Sequence, residues 1–218
     1  MTTDRVLMAD PAVAAIPVEE SGELLADVRA AGRLAVDDRK RDPAGAWAHV
    51  RSGVLTRLQD AQALLPDGIR LLLVEGYRPP ALQAAYFAEY EAELRALHPT
   101  MAPAELRRSA SRFVSPPEIA PHSCGGAVDV TLIGRDGREL DMGTRVNASP
   151  EESDEACYAG ATNISDTARA HRDLLTNALI RAGFHPYWTE WWHFEYGTRL
   201  WALLSRRPAA LYGLLDLP

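Results

Sequence analysis

Cysteine is scarce: Cys124 and Cys157 are the only two in 218 residues, too few for a disulfide framework at this length. Lysine is scarcer still. Lys40 stands alone among 23 basic residues, which, beside the many arginines and alanines, reads as codon usage rather than mechanism. No run approaches the roughly 18 apolar residues of a membrane-spanning helix. The N-terminus, Met1-Thr2-Thr3-Asp4-Arg5, lacks the cationic and then apolar pattern of a secretory signal. Positive charge is in deficit, with 23 Lys and Arg against 30 Asp and Glu and a net charge of −7. Neither nucleic acid nor an anionic membrane is therefore an expected partner. Asn147-Ala148-Ser149 and Asn163-Ile164-Ser165 match the glycosylation sequon, but without export they read as chance.

What is present is a globular composition, 47% apolar and 24% charged. No repeat, low-complexity tract or linker divides it. The expectation is one soluble, cytoplasmic domain over residues 1–218, with 1–45 an N-terminal lead-in of unassigned role that packs on the domain. Trp47, Val50, Val54, Leu58, Ala61 and Leu65 recur at helical spacing and predict a helix over 47–65, ended by Pro66-Asp67-Gly68. Ile69–Val74 is short, apolar and flanked by turn residues, as a buried strand would be. Pro79-Pro80 opens a helix to about Leu97, and Pro103 to Phe113 reads as a shorter one. Val114–Gly126 holds three prolines and two glycines and reads as loop. Ala127–Ile133 is a β-branched strand, 142–163 is mostly irregular, and Ser165 or Asp166 caps a helix to Ala182 with Gly183 as its stop. Trp191–Tyr196 reads as a strand and Leu200–Leu204 as a short helix. Without a regular βαβ alternation, the class is α+β, a small mainly antiparallel sheet with flanking helices.

Two clusters could carry chemistry. In His122-Ser123-Cys124-Gly125-Gly126-Ala127-Val128-Asp129, a loop histidine precedes two glycines and a strand aspartate. Strand alternation puts Asp129 on the face opposite Val128 and Val130, and the glycines let the loop fold back toward it. In Thr189-Glu190-Trp191-Trp192-His193-Phe194-Glu195-Tyr196, a glutamate sits three residues before a histidine among large aromatics. Burial there would raise the pKa of Glu190 toward the range useful for proton transfer. On a regular strand, i and i+3 face opposite sides, so the chain must bend between Glu190 and His193 or begin the strand after Glu190. Each cluster taken singly is equally compatible with a structural role. Taken together they supply two histidines and an aspartate as metal ligands with a free glutamate, the make-up of catalytic zinc sites that keep one position open. Cys124 is a rival ligand, but a thiolate would make the site softer and more structural; Cys157 reads as a small core residue. The remaining histidines, His49, His98, His171 and His185, read as helix or loop residues. A third piece, Glu75-Gly76-Tyr77-Arg78-Pro79-Pro80, sets Arg78 between a strand end and a helix start. There it would hold an oxyanion or a substrate carboxylate, or simply pair with a neighbouring acid.

His122, Gly125, Ala127 and Asp129, then Glu190, Trp192 and His193, then Gly76-Tyr77-Arg78-Pro79, with Met142-Gly143 between them, resemble the zinc D-Ala-D-Ala dipeptidases of the VanX type, in a family that also holds D,D-carboxypeptidases. The resemblance spans residues 75–196. It implies a D,D-peptidase/hedgehog-like zinc peptidase fold with one zinc ion on His122, Asp129 and His193. It also implies Glu190 as general base and acid, Arg78 as stabiliser of the tetrahedral intermediate, and a small D,D-dipeptide as substrate, in peptidoglycan metabolism. Three positions depart from the family pattern: Ala120 stands for a serine, Glu75 for an aspartate, and Asn147 for an acidic residue that meets the substrate's ammonium. These bear on dipeptide preference more than on metal chemistry. Two alternatives stay open, a D,D-carboxypeptidase or endopeptidase on peptidoglycan stem peptides and a non-catalytic zinc-binding module. Glu190 and Arg78 speak against the module, which needs neither.

Overall fold

The computed structural model describes residues 5–32 and 34–215, so residues 1–4 and 33 of the N-terminal lead-in and 216–218 of the domain expected over 1–218 lie outside the described residues. In chain order the elements are α1 (Pro11–Ala14), β1 (Leu25–Asp27), β2 (Ala35–Val36), β3 (His49–Arg51), α2 (Ser52–Ala63), β4 (Arg70–Glu75), α3 (Pro80–Leu97), α4 (Pro103–Ala110), β5 (Ala127–Ile133), α5 (Pro150–Ser153), α6 (Asp166–Arg181), β6 (His185–Pro186), β7 (His193–Glu195) and α7 (Arg199–Leu204). The main sheet has the order β2-β4-β5-β7-β6. Only its β2–β4 edge is parallel, so the α+β, mainly antiparallel architecture is the observed one.

The sheet has two dissimilar faces, and strand alternation makes them so. Val128, Val130 and Leu132 of β5 and Phe194 of β7 join Leu71 and Leu73 of β4 in the main core. Val54, Leu58 and Ala61 of α2 and Leu175, Ala178 and Leu179 of α6 cover them. Asp129, His193 and Glu195 alternate with these apolar residues. A second cluster, Phe87, Tyr90, Leu94, Leu106, Ala110 and Val114, binds α3 to α4. Each large aliphatic buried in these clusters contributes about 1.5–3 kcal/mol.

The helix expected over 47–65 begins only at Ser52. Trp47 lies in a 3-10 turn, and 49–51 form β3 against β1. The helical spacing there is overridden by side chains that need other geometry. The Asp42 carboxylate accepts from the amides of Ala44, Ala46 and Trp47. Arg51, almost fully buried, donates to the carbonyls of Cys124, Glu23 and Gly213 and to the Glu20 carboxylate. A helical Arg51 would leave a buried guanidinium without acceptors, which costs more than one helical turn returns. The strand expected over 191–196 is shortened to His193–Glu195, because Glu190 and the two tryptophans form a turn before it. At α6 the cap is Ser165, whose hydroxyl accepts from the Ala168 amide, and Gly183 follows at a φ of 98°. From α6, Arg172 donates to the carbonyls of Met142, Ala156 and Tyr158 and so shapes the irregular 142–158 segment.

The lead-in packs on the rest of the chain. Leu7, Met8 and Val13 cluster with Tyr187 and Leu200, and Val18 bridges Ala210. Among the described residues no helix is long and apolar enough to cross a membrane.

Candidate metal centre

Sheet register builds most of the site. Antiparallel pairing of β5 with β7 sets Asp129 directly opposite His193. Pairing of β4 with β5, past an irregularity between Leu73 and Glu75, sets Glu75 on the other side of Asp129. Directly opposed residues on one face have neighbouring side chains, so three polar groups far apart in sequence meet above the middle of the sheet.

His122 arrives from the loop, in a 3-10 turn that ends at Gly125 with φ 71°. That left-handed backbone favours glycine, and a Cβ there would also displace the tip of the Leu25 side chain. His122 Nδ1 donates to the Gly76 carbonyl at 2.7 Å. Gly76 has no room for a side chain, since a Cβ would stand 2.3 Å from the His49 carbonyl. The amides of Gly76 and Tyr77 in turn donate to the carbonyls of Trp47 and His49, so the segment that refused to be helix supports the site. A mutual clamp closes the loop: the Arg78 amide donates to the His122 carbonyl, and the Ser123 hydroxyl to the Arg78 carbonyl.

His122 Nε2, His193 Nδ1 and Asp129 Oδ1 then converge. His122 Nε2 lies 3.2 Å from His193 Nδ1 and 3.4 Å from Asp129 Oδ1, and His193 Nδ1 is 3.0 Å from Asp129 Oδ1. All three residues are buried. The opposite ring nitrogens are committed as donors, His122 Nδ1 to the Gly76 carbonyl and His193 Nε2 to Glu195 Oε1 at 3.1 Å. In neutral rings the inward nitrogens therefore present lone pairs, and two lone pairs facing a carboxylate are satisfied only by positive charge. The His193 pKa records this demand. Burial depresses it, but hydrogen bonds to Asp129 and Glu195 more than offset that and push it up to about 10. Asp129 is likewise held well below the usual carboxylate range, its burial outweighed by the two imidazoles.

His122, Asp129 and His193 could hold a metal ion, with one donor atom each within 4.8 Å of the others. The donor chemistry fits: two imidazole nitrogens and a carboxylate oxygen suit zinc. The outer contacts fit as well, because metal-ligating histidines ordinarily donate their second N–H to a carboxylate or backbone carbonyl. Here Glu195 and Gly76 fill those two roles. Cys124 is outside the cluster. Its thiol donates to the Pro121 carbonyl, and burial pushes its pKa up to about 12.

Glu190 sits beside the cluster, with its Oε2 3.7 Å from His193 Nδ1. The spacing problem is solved by starting the strand late: the Glu190 amide donates to the Tyr187 carbonyl, and the His193 amide to that of Glu190. Burial, with Asp129 and Glu195 adding to it against the pull of His193 and Arg78, pushes the Glu190 pKa up to about 8. Arg78 is held by its neighbours. Its Nε and Nη2 donate to the two oxygens of Glu75 at 2.7 and 2.6 Å, and Nη1 donates to Gln83 Oε1 at 2.8 Å. Gln83 is anchored in turn on the Ser115 carbonyl. Three of the five guanidinium N–H groups are thus used to position it, and it still lines the site. Glu75 acts through Arg78 rather than facing the cavity.

A cavity of about 330 Å³ opens over these groups, lined by His122, Asp129, His193, Glu190 and Arg78, by Lys40, Arg145 and Asn147, and by Tyr86, Glu89, Tyr90 and Glu93 of α3. Ala120 is buried away from it, against a different cavity. Nothing in the sequence alone assigned a site role to Glu195, Gln83 or Lys40. Glu195 had a signal: it lies two residues from His193 on a strand and therefore on the same face. Glu195→Gln keeps the shape and removes the charge behind His193. It is expected to weaken metal affinity about 10- to 100-fold, read by competition with a chromogenic chelator; unchanged affinity would make Glu195 a structural acid only.

The family model described as D-Ala-D-Ala dipeptidase (Peptidase_M15) matches residues 23–208. The chain is 30% identical over 216 residues to a D-alanyl-D-alanine dipeptidase of Synechocystis sp., covering 86% of this chain and 87% of that protein. It is 31% identical over 134 residues to a D-alanyl-D-alanine dipeptidase of Enterococcus faecium, covering 59% of this chain and 62% of that protein. Among solved structures, the vancomycin-resistance D,D-pentapeptidase VanY from a VanB-type cassette, in complex with Zn(II), aligns over 90% of both chains with a TM-score of 0.47 and 19% identity.

Proposed function

The chain belongs to the D-Ala-D-Ala dipeptidase family of metal-dependent peptidases, and from that premise we propose that it hydrolyses D-alanyl-D-alanine and related D,D-dipeptides at a single zinc ion held by His122, Asp129 and His193. The observation that carries this reading is the convergence of three buried donor atoms beside a buried carboxylate that is not one of them. A site that only stored or displayed metal would need no such neighbour.

Bound zinc supplies Lewis acidity, polarising a carbonyl and making water acidic near neutral pH. The chain's own groups do the rest. Glu190 accepts the proton of the attacking water as the carbon–oxygen bond forms. It returns that proton to the leaving nitrogen as the carbon–nitrogen bond breaks, so the carboxylate ends unchanged. Arg78, fixed by Glu75 and Gln83, directs its two remaining N–H groups to the oxygen on which negative charge develops. Because Glu75 and Gln83 already hold the guanidinium, little reorganisation is needed during the reaction.

The deciding experiment is a dipeptide panel varying chirality at both positions, with and without a chelator. D-Ala-D-Ala is expected to be cleaved and the L,L isomer spared, with activity lost to chelation and restored by zinc. Resistance to chelation, or no cleavage of any D,D-dipeptide, would overturn the proposal. Cleavage of a stem pentapeptide in preference to the dipeptide would move the activity to a D,D-carboxypeptidase. We place the reaction in the cytoplasm: Cys124 and Cys157 are free thiols, as a reducing compartment allows. Cell fractionation tests this.

A further inference from the structure

Of the three cations that line the cavity, Lys40, Arg78 and Arg145, Lys40 is the one held by no hydrogen bond to a described residue. Arg78 is bound to Glu75 and Gln83. Arg145 is bound to Glu152 and to the Asn147 carbonyl. Lys40, by contrast, donates no hydrogen bond to any described residue. Its ammonium lies over the Tyr86 ring at 5.2 Å, and its nearest carboxylate, Glu75 Oε2 at 4.0 Å, already accepts from Arg78 at 2.6 Å. Its three N–H donors thus make no hydrogen bond to a described residue, only a long ion pair and a ring contact, on a side chain 24% exposed that lines the cavity.

The fold places this lysine firmly. The parallel pairing of β2 with β4 runs the chain along β4 toward Glu75. Beyond β2, the Asp37 amide donates to the Leu73 carbonyl, the Trp47 indole donates to the Asp37 carbonyl, and Arg39 pairs with Asp37 and Glu139. These contacts fix the backbone just before Lys40, so its Cα stands at a set distance from the cavity.

Building on the dipeptidase reading, we propose that Lys40 binds the C-terminal carboxylate of the substrate. A dipeptide with apolar side chains carries one anionic group, and Lys40 is the cation lining the cavity that no hydrogen bond to a described residue holds. This gives the otherwise unassigned lead-in a function: it delivers the substrate's counter-charge, and so sets the preference for a free C-terminus.

The test compares D-Ala-D-Ala with its C-terminal amide in the wild type, K40M and K40R. The wild type is expected to favour the acid through KM. In K40M, KM for the acid rises roughly 10- to 100-fold, the loss of one charge-assisted hydrogen bond, with kcat changed far less and KM for the amide moving little. The acid-over-amide preference therefore collapses, and K40R restores most of it. A K40M protein that keeps the full preference overturns the assignment, whether kcat is intact or has fallen through a disturbed Glu75–Arg78 pair. A wild type that cleaves neither compound overturns the dipeptidase reading and this assignment with it.

Discussion

Glu190→Gln is expected to lower kcat about 10²- to 10⁴-fold, the usual worth of a positioned general acid–base, while the protein keeps its full metal content. Glutamine reproduces the shape and cannot accept a proton. Glu190 is not one of the three converging donors, so its charge is not needed to assemble them. Burial, which pushes its pKa up to about 8, gives the carboxylate the proton affinity of a competent base. A divalent cation a few ångströms away would favour the ionised form that the first step requires. D-Alanine release and elemental analysis on the same preparation check both halves. A variant within about threefold of wild type would remove Glu190 from the chemistry, and a variant that lost its metal would make Glu190 a ligand.

Asp129→Asn should do the reverse, losing the metal and, with it, activity down to background. The substitution removes the one anionic donor of the three and leaves a neutral amide between two imidazoles. Asp129 is buried and held ionised by His122 and His193, so it brings the one negative charge that touches both inward imidazole nitrogens. The fold should survive, since Val128 and Val130 on the opposite face carry the packing of β5. Circular dichroism beside metal analysis after dialysis separates the outcomes. Normal zinc retention in a folded Asp129→Asn protein would end the assignment of the three ligands.

Much of this was readable in the residues. β5 was legible from β-branching and α3 from its opening prolines. β4 was legible as an apolar run between turns, and the end of α6 from Gly183. Each is a local pattern with a local cause. The metal-centre residues were legible as types, a histidine and an aspartate flanking two glycines and a glutamate three residues before a histidine. Residues 47–51 were misread for the opposite reason. Their apolar spacing suits a helix, but β1 and the acceptors of Arg51 lie far along the chain.

By itself, then, the sequence determined which donors exist, where the longer helices and the strands β4 and β5 run, and that Glu190 and His193 can share a face only through a bend or a late strand start. Only the tertiary structure decided that Asp129 and His193, 64 residues apart, are cross-strand partners, that Glu195 and the Gly76 carbonyl hold the two imidazoles, and that Lys40 reaches the cavity. Periodicity and capping act over a few residues and leave their mark in neighbouring letters. Register is set by the burial of whole strand faces against distant helices, and the side chains that depend on it acquire partners only when the sheet closes.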